Sequence, residues 1–236
     1  MAEIPTPSMY ELIRRGDLQG LKDFVSSQRD SGADMTSLLN NYLPPPGYGI
    51  PLIMAIMSSF ENINGLIRHQ EYVFPAPDPL IIVKFLLDQP ELNINNHQSG
   101  CFITCCYRGQ FGVAELLMNR DELAFPEDAF PPGVWGTDPP NTPLGRAIDG
   151  LNTTLEHADD YEYTVFNSLR TPKQYYKLIE LLIKDKRMVV PSIREQKRYH
   201  TTDPVAMKMI KEYFNPESDV CELGSLCTIS GGKKKQ

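Results

Sequence analysis

The chain has 236 residues, 41% of them hydrophobic, enough apolar material for one large domain or two small ones with a sizeable buried core. Its formal net charge of −7 argues against general affinity for nucleic acid or anionic lipid, because phosphate binding rests on an excess of Lys and Arg. No apolar run approaches the roughly 20 residues that span a bilayer, and the amino terminus lacks the basic and apolar blocks of a secretory signal. The five cysteines are an odd set without CxxC spacing, which suits a reducing compartment, so a cytoplasmic protein with no integral membrane segment is expected.

The first helix is expected to begin at Ser8, an N-cap residue with Glu11 as its capping-box partner, and to run through Leu12 and Ile13 to Gly16. A second helical spacing then starts in a new phase at Leu18, Leu21, Phe24 and Val25. Gly32-Ala33-Asp34-Met35 reads as a turn leading into an irregular segment that ends at Pro44-Pro45-Pro46. The next pair opens at Ile50, with Pro51 at the first helical position, where its missing N–H costs nothing. Apolar residues at Leu52, Ala55, Ile56, Phe60, Ile63 and Ile67 predict a long helix that Pro75, Pro77 and Pro79 break. Its partner runs from Leu80 to Leu87, and residues 90–95 make the exit turn.

The third pair surrounds Gly109, and it repeats the first. Met9, Leu12, Ile13, Leu18, Leu21, Phe24 and Val25 stand at the same offsets from Gly16 as Phe102, Cys105, Cys106, Phe111, Ala114, Leu117 and Met118 do from Gly109. A glycine between two helical spacings of different phase marks the turn of a helix pair, and recurrence of the frame points to a repeat architecture. The fourth pair begins Pro143-Leu144-Gly145-Arg146-Ala147-Ile148, matching the Pro-Leu-x-x-Ala-Ile of residues 51–56. Its second helix spans 175–183, with Leu178, Leu181 and Leu182 on one face, after a polar insertion at 152–173. A last amphipathic segment, 204–214, is expected to close the stack with Val205, Met209, Ile210 and Phe214 on its apolar side. Residues 215–236 read as a flexible tail.

These segments resemble the ankyrin repeat. Residues 51–55 and 142–147 are similar to its Thr-Pro-Leu-His-x-Ala opening with the histidine replaced, residues 16–22 and 109–117 to its inter-helix glycine and second helix, and Gly32-Ala33-Asp34-Met35 to its closing turn. The resemblance implies an all-α, ankyrin-type solenoid of about five stacked helix pairs with long loop insertions. Its approximate repeats are 8–47, 48–97, 98–140 and 141–190, with a cap at 191–214. Insertions near 58–77 and 152–173 and a Pro-rich finger around Trp135 depart from the family pattern, and no single repeat is complete. Such degenerate chains are similar to effectors that intracellular bacterial pathogens deliver into the host cytosol.

What the resemblance implies for function is a non-catalytic module that binds a protein partner through a concave face of inner helices and fingers. Tyr48, Met54, Arg146 and Trp135 are expected at solvent-facing positions of that surface, Phe130 in the same finger as Trp135, and Tyr161 and Tyr163 in the second insertion. The finger, residues 125–136, sets aromatic anchors among prolines, and Trp is enriched among interface hot spots. Two other readings compete. Cys101, Cys105 and Cys106 with His97 nearby admit a cysteine-dependent enzyme, although the repeat frame needs small packed residues where Cys105 and Cys106 stand. Lys184, Lys186, Arg187, Arg194, Lys197 and Arg198 admit a membrane-surface adaptor, although cations at a helix end are also what the helix dipole favours. His157 with Asp159 and Asp160 reads as a solvated acidic loop. No zinc, cofactor or nucleophile-elbow signature is present, so no cofactor is expected.

Overall fold

The protein is described by a computed structural model for residues 7–41, 50–57, 79–125, 141–158, 171–191 and 196–215. Every regular element among these residues is a helix. Helix α1 (Met9–Arg15) starts at a capping box in which the Ser8 side chain accepts from Glu11 N and Glu11 accepts from Ser8 N. It ends at Gly16 in the left-handed region, φ 65°, where a side chain would be strained. Helix α2 (Leu18–Asp30) is capped by Asp17 and buries Leu21 and Val25.

Helix α3 (Met35–Asn40) corrects the expectation of an irregular segment there. Asp34 caps it by accepting from Ser37 N, and Met35 and Leu39 bury their side chains. The helix at 51–57, α4, begins at Pro51 as expected; its predicted continuation to Ile67 lies outside the described residues, as does the tail 216–236. Helix α5 (Pro79–Leu87) follows, then α6 (Asn96–Tyr107) and α7 (Phe111–Met118). Between α6 and α7, Gly109 repeats the geometry of Gly16 at φ 65°. The hydrogen bonds repeat as well: Gly16 N to Ile13 O and Asp17 N to Leu12 O correspond to Gly109 N to Cys106 O and Gln110 N to Cys105 O.

Helix α8 (Pro143–Glu156) runs into the expected polar insertion, which is therefore shorter than residues 152–173. Thr153 and Thr154 fit the helix because their hydroxyls donate to the carbonyls of Asp149 and Gly150 one turn back, and Leu151 carries the apolar stripe onward. Helix α9 (Pro172–Lys184) opens earlier than Tyr175, at a Thr171–Gln174 capping box with Pro172 in the first turn. Helix α10 (Pro204–Phe214) buries Ala206 and Ile210, while Val205 is 48% exposed. Val205 is thus not on the apolar face, which runs through Ala206 and Ile210 one helical turn apart.

The helices pack as hairpins, α1 on α2, α6 on α7 and α8 on α9, and the hairpins lie side by side. Second helices form one row, in which α2 meets α5, α5 meets α7, α7 meets α9 and α9 meets α10. In the other row α6 packs extensively on α8. One continuous core runs between the rows, from Met9 and Leu21 through Leu52, Leu86, Phe102 and Leu117 to Leu144, Leu178 and Ile210. Helix α8 comes close to the end of α6 at Gly150, where Tyr107 O leaves no room for a Cβ, and Tyr175 of α9 fills the slot beside it. Its hydroxyl donates to Tyr107 O at the end of α6, 2.8 Å away, and its ring lies against Gly109. Gln110 makes the equivalent tie one pair earlier, its Nε2 donating to Ile56 O at 2.7 Å.

Candidate interaction surface

Three turns leave the second-row helices in the same way, and they organise one edge of the molecule. Gln89 N bonds Leu86 O and Leu92 N bonds Gln89 O after α5; Arg120 N bonds Leu117 O and Leu123 N bonds Arg120 O after α7; Asp185 N bonds Leu182 O and Met188 N bonds Asp185 O after α9. The register assigns Glu91, Glu122 and Arg187 to one position, and Asn93, Ala124 and Val189 to another two residues on.

Asparagine side chains hold the first two of these turns. Asn40, 8% exposed, donates from Nδ2 to Glu91 O at 2.7 Å and accepts from Asn93 N at 2.7 Å. Asn95 donates to Glu122 O at 2.6 Å and accepts from Ala124 N at 2.7 Å. A carboxamide has one acceptor and one donor group side by side, so it mimics a peptide and pairs with the backbone at two points. Asn96 Nδ2 adds a bond to Asn40 O.

Arginines link each turn to the one before. Arg120 donates to Leu87 O at 2.8 Å and pairs with Asp88 at 3.3 Å. Arg187 donates to the corresponding carbonyl of the next helix, Met118 O, at 2.7 Å, and to Arg120 O at 3.1 Å. A guanidinium on the last carbonyls of a helix satisfies orphan acceptors and the negative end of the dipole together. Arg187 is further held by Asp185 through two bonds, 2.9 and 2.7 Å, and lies 4.8 Å over the ring of Phe125. Those bonds hold the Asp185 carboxyl below its ordinary range and the Arg187 guanidinium above its own. Phe125 in turn meets Phe102 edge to face at 5.2 Å, so the residue at which the Pro-rich finger begins is pinned to the core. Arg29 reaches Glu91 at 3.0 Å on the same edge.

Of the expected contact residues, Met54 is corrected: it is 9% exposed and belongs to the core, because α4 packs that side of the Pro-Leu-x-x-Ala-Ile pattern inward as well. Arg146 is half-buried on α8, ion-paired with Asp149 at 2.8 Å and bonded to Asn141 Oδ1 at 2.8 Å. Tyr48, Phe130, Trp135, Tyr161 and Tyr163 lie outside the described residues.

Cys101, Cys105 and Cys106 are fully buried. Burial, with Cys105 beside it, pushes the Cys101 thiol far above the ordinary thiol range, and burial followed by the Cys106 contact does the same to Cys105. Cys105 Sγ donates to Phe102 O. All three thiols fill core volume, and those of Cys101 and Cys105 form no thiolate at neutral pH. Among the described residues no group of three or more His, Cys, Asp or Glu side chains is gathered as a metal site would require, and no helix is long and apolar enough to cross a membrane. Within the basic stretch Arg187 is engaged internally as above, whereas Lys184 pairs with Glu180 at the exposed surface; Arg194 lies outside the described residues. His157 is exposed at the end of α8, while Asp159 and Asp160 are likewise undescribed.

Residue spacing did not reveal Asn40, Asn95, Arg120 or Arg187 as the ties between turns. Asn95, Arg120 and Arg187 carry only the signal of a polar residue within or beside a turn, and Asn40, at the end of α3, lies 51 residues from the carbonyl it binds. Comparison of the chain with family models, with curated proteins and with solved structures finds no match in any of the three.

Proposed function

We propose that the chain is a non-catalytic protein-interaction module of ankyrin type, binding a protein partner through its inner-row helices and the fingers that precede them. The carrying observation is recurrence: the left-handed glycine turn at Gly16 and Gly109 has one hydrogen-bond pattern, and three exit turns share another. A stack of like hairpins spends its buried residues on neighbours, which supports an extended binding face over a single enclosed reaction centre. The internal use of Arg187 weakens the membrane-adaptor alternative, and burial of the three thiols weakens the cysteine-enzyme alternative. Action as a bacterial effector in a host cytosol belongs to the same proposal and rests on the sequence resemblance.

Affinity purification from host-cell lysate with wild-type and Trp135→Ala baits of equal melting temperature tests the finger. A protein retained by the first bait and lost from the second supports the reading. Identical sets on both baits overturn the finger's role, and turnover dependent on Cys101, Cys105 or Cys106 would overturn the non-catalytic part.

A further inference from the structure

The third exit turn lacks the clamp that holds the other two. By register its Arg187 O and Val189 N correspond to Glu91 O and Asn93 N, and to Glu122 O and Ala124 N, yet among the described residues nothing donates to Arg187 O or accepts from Val189 N. The two existing clamps come from the stretch between the preceding exit turn and the next first-row helix, Asn40 before α4 and Asn95 before α6. The matching stretch before α8, residues 126–140, contains neither Asn nor Gln. Past it, Asn141 Oδ1 accepts from Arg146, and Thr142 caps Gly145 N and meets the Tyr199 hydroxyl.

The apolar covering differs in step. Ile94 is 4% exposed and Phe125 is packed on the core, but Val190 at the same position is 48% exposed and the adjoining Val189 is 75% exposed. Among the described residues, Val189 and Val190 are therefore an aliphatic pair with an open peptide edge, on a turn whose base Arg187 and Asp185 hold in place.

We propose that this edge docks a segment of a protein partner that presents a carboxamide side chain beside an aliphatic residue. The carboxamide would bridge Arg187 O and Val189 N as Asn40 and Asn95 bridge the earlier turns, and the aliphatic neighbour would cover Val189 and Val190. The site continues the row of turn-to-turn contacts this chain already makes, and the inference stands apart from the inner-row surface proposed above.

The test uses the full chain labelled with nitrogen-15 and a capped pentapeptide, Ala-Val-Asn-Val-Ala, against Ala-Val-Ala-Val-Ala. Before peptide is added, the Asn93 and Ala124 amides exchange slowly and the Val189 amide exchanges freely. The asparagine peptide shifts the Val189 and Val190 amides saturably and slows exchange at Val189. It binds about tenfold more tightly than the alanine peptide, the worth of two net hydrogen bonds partly offset by ordering. Val189→Asp, at a site too exposed to affect folding, abolishes the shifts. Equal affinity for the two peptides, shifts elsewhere only, or unchanged binding by Val189→Asp overturns the proposal. So does a matching shift on raising protein concentration alone, which makes the occupant a second copy. None of these outcomes involves Trp135, so failure here and failure of the finger are separable.

Discussion

Gly150→Ala is the substitution on which the packing of α8 against α6 is most sharply exposed. A Cβ there would stand 2.0 Å from Tyr107 O, 2.7 Å from the Tyr175 hydroxyl and 2.8 Å from Tyr175 Cε1. The first of these is backbone, so relief requires α8 and α6 to part by about 1 Å or the end of α6 to shift, at a place lined by fully buried Cys105, Cys106, Ala147 and Leu151. Overpacking of this kind costs about 1–3 kcal/mol. Disturbing the part-buried Tyr175–Tyr107 hydrogen bond adds about 1 kcal/mol, the net worth of one such bond. Replacing a helical glycine by alanine returns about 1 kcal/mol, leaving a net loss of about 1–3 kcal/mol. Gly112→Ala is the control: its Cβ meets only Leu80 Cδ1 at 3.3 Å and Cδ2 at 3.7 Å, the movable end of a side chain, so the helical gain survives. Urea unfolding followed by circular dichroism gives the difference, and thermal midpoints should separate by roughly 5–15 °C at this chain length. Equal midpoints for the two variants would refute the close approach of α8 to α6.

Leu117→Ala and Leu86→Ala, both at fully buried positions, should each cost about 2–5 kcal/mol in the same assay; a loss below 1 kcal/mol at either would mean that its helix does not face the core. A small alkylating reagent should leave Cys101, Cys105 and Cys106 unmodified in the native protein and label all three in denaturant, read by mass spectrometry. Rapid native labelling at any of them restores the enzyme reading. Burial, and then its hydrogen bond to Asp203, raise the Tyr176 phenol from 10 to about 12. The unfolded chain ionises first, so this contribution is intact below pH 10 and lost between about pH 10 and 12. Unfolding midpoints at pH 9, 10 and 11 should fall less steeply in Tyr176→Phe than in the wild type.

The helix pairs were legible because their signals are local. A glycine flanked by two helical spacings, Ser8 with Glu11, and Pro51 and Pro143 ahead of Leu-x-x-Ala-Ile each act within one or two turns. Helix α3 was hidden because Met35–Asn40 is too short to display a period and only Asp34 announces it. The insertion after α8 was drawn too early because Thr153 and Thr154 look unhelical until their hydroxyls are seen to bond the preceding turn. Met54 was placed outward by analogy with a family opening, whereas burial depends on how α4 is rotated against its neighbours. The edge clamps were illegible for a different reason: Asn40 finds its partners 51 and 53 residues away, and no periodicity encodes such a pairing.

The clamps also bear on how a binding surface can vary without loss of the fold. Asn40 and Asn95 grip the peptide groups of their turns and not the side chains, and Arg120 and Arg187 grip helix-end carbonyls. The tips of the same turns carry exposed Pro90, Asn93, Asp121, Lys186 and Val189. At the first two turns a side chain such as Pro90 contributes little to stability, since the backbone beneath it is already fixed by a neighbour's carboxamide and by the buried leucine one turn earlier, while the third turn is held through Arg187 and Asp185. Substitutions at the tips are therefore expected to change what the edge recognises while leaving the apolar seam between the rows untouched. On the proposed binding reading, the division places stability in Leu86, Leu117 and Leu182, position in the asparagines and arginines, and specificity in residues that neither set uses.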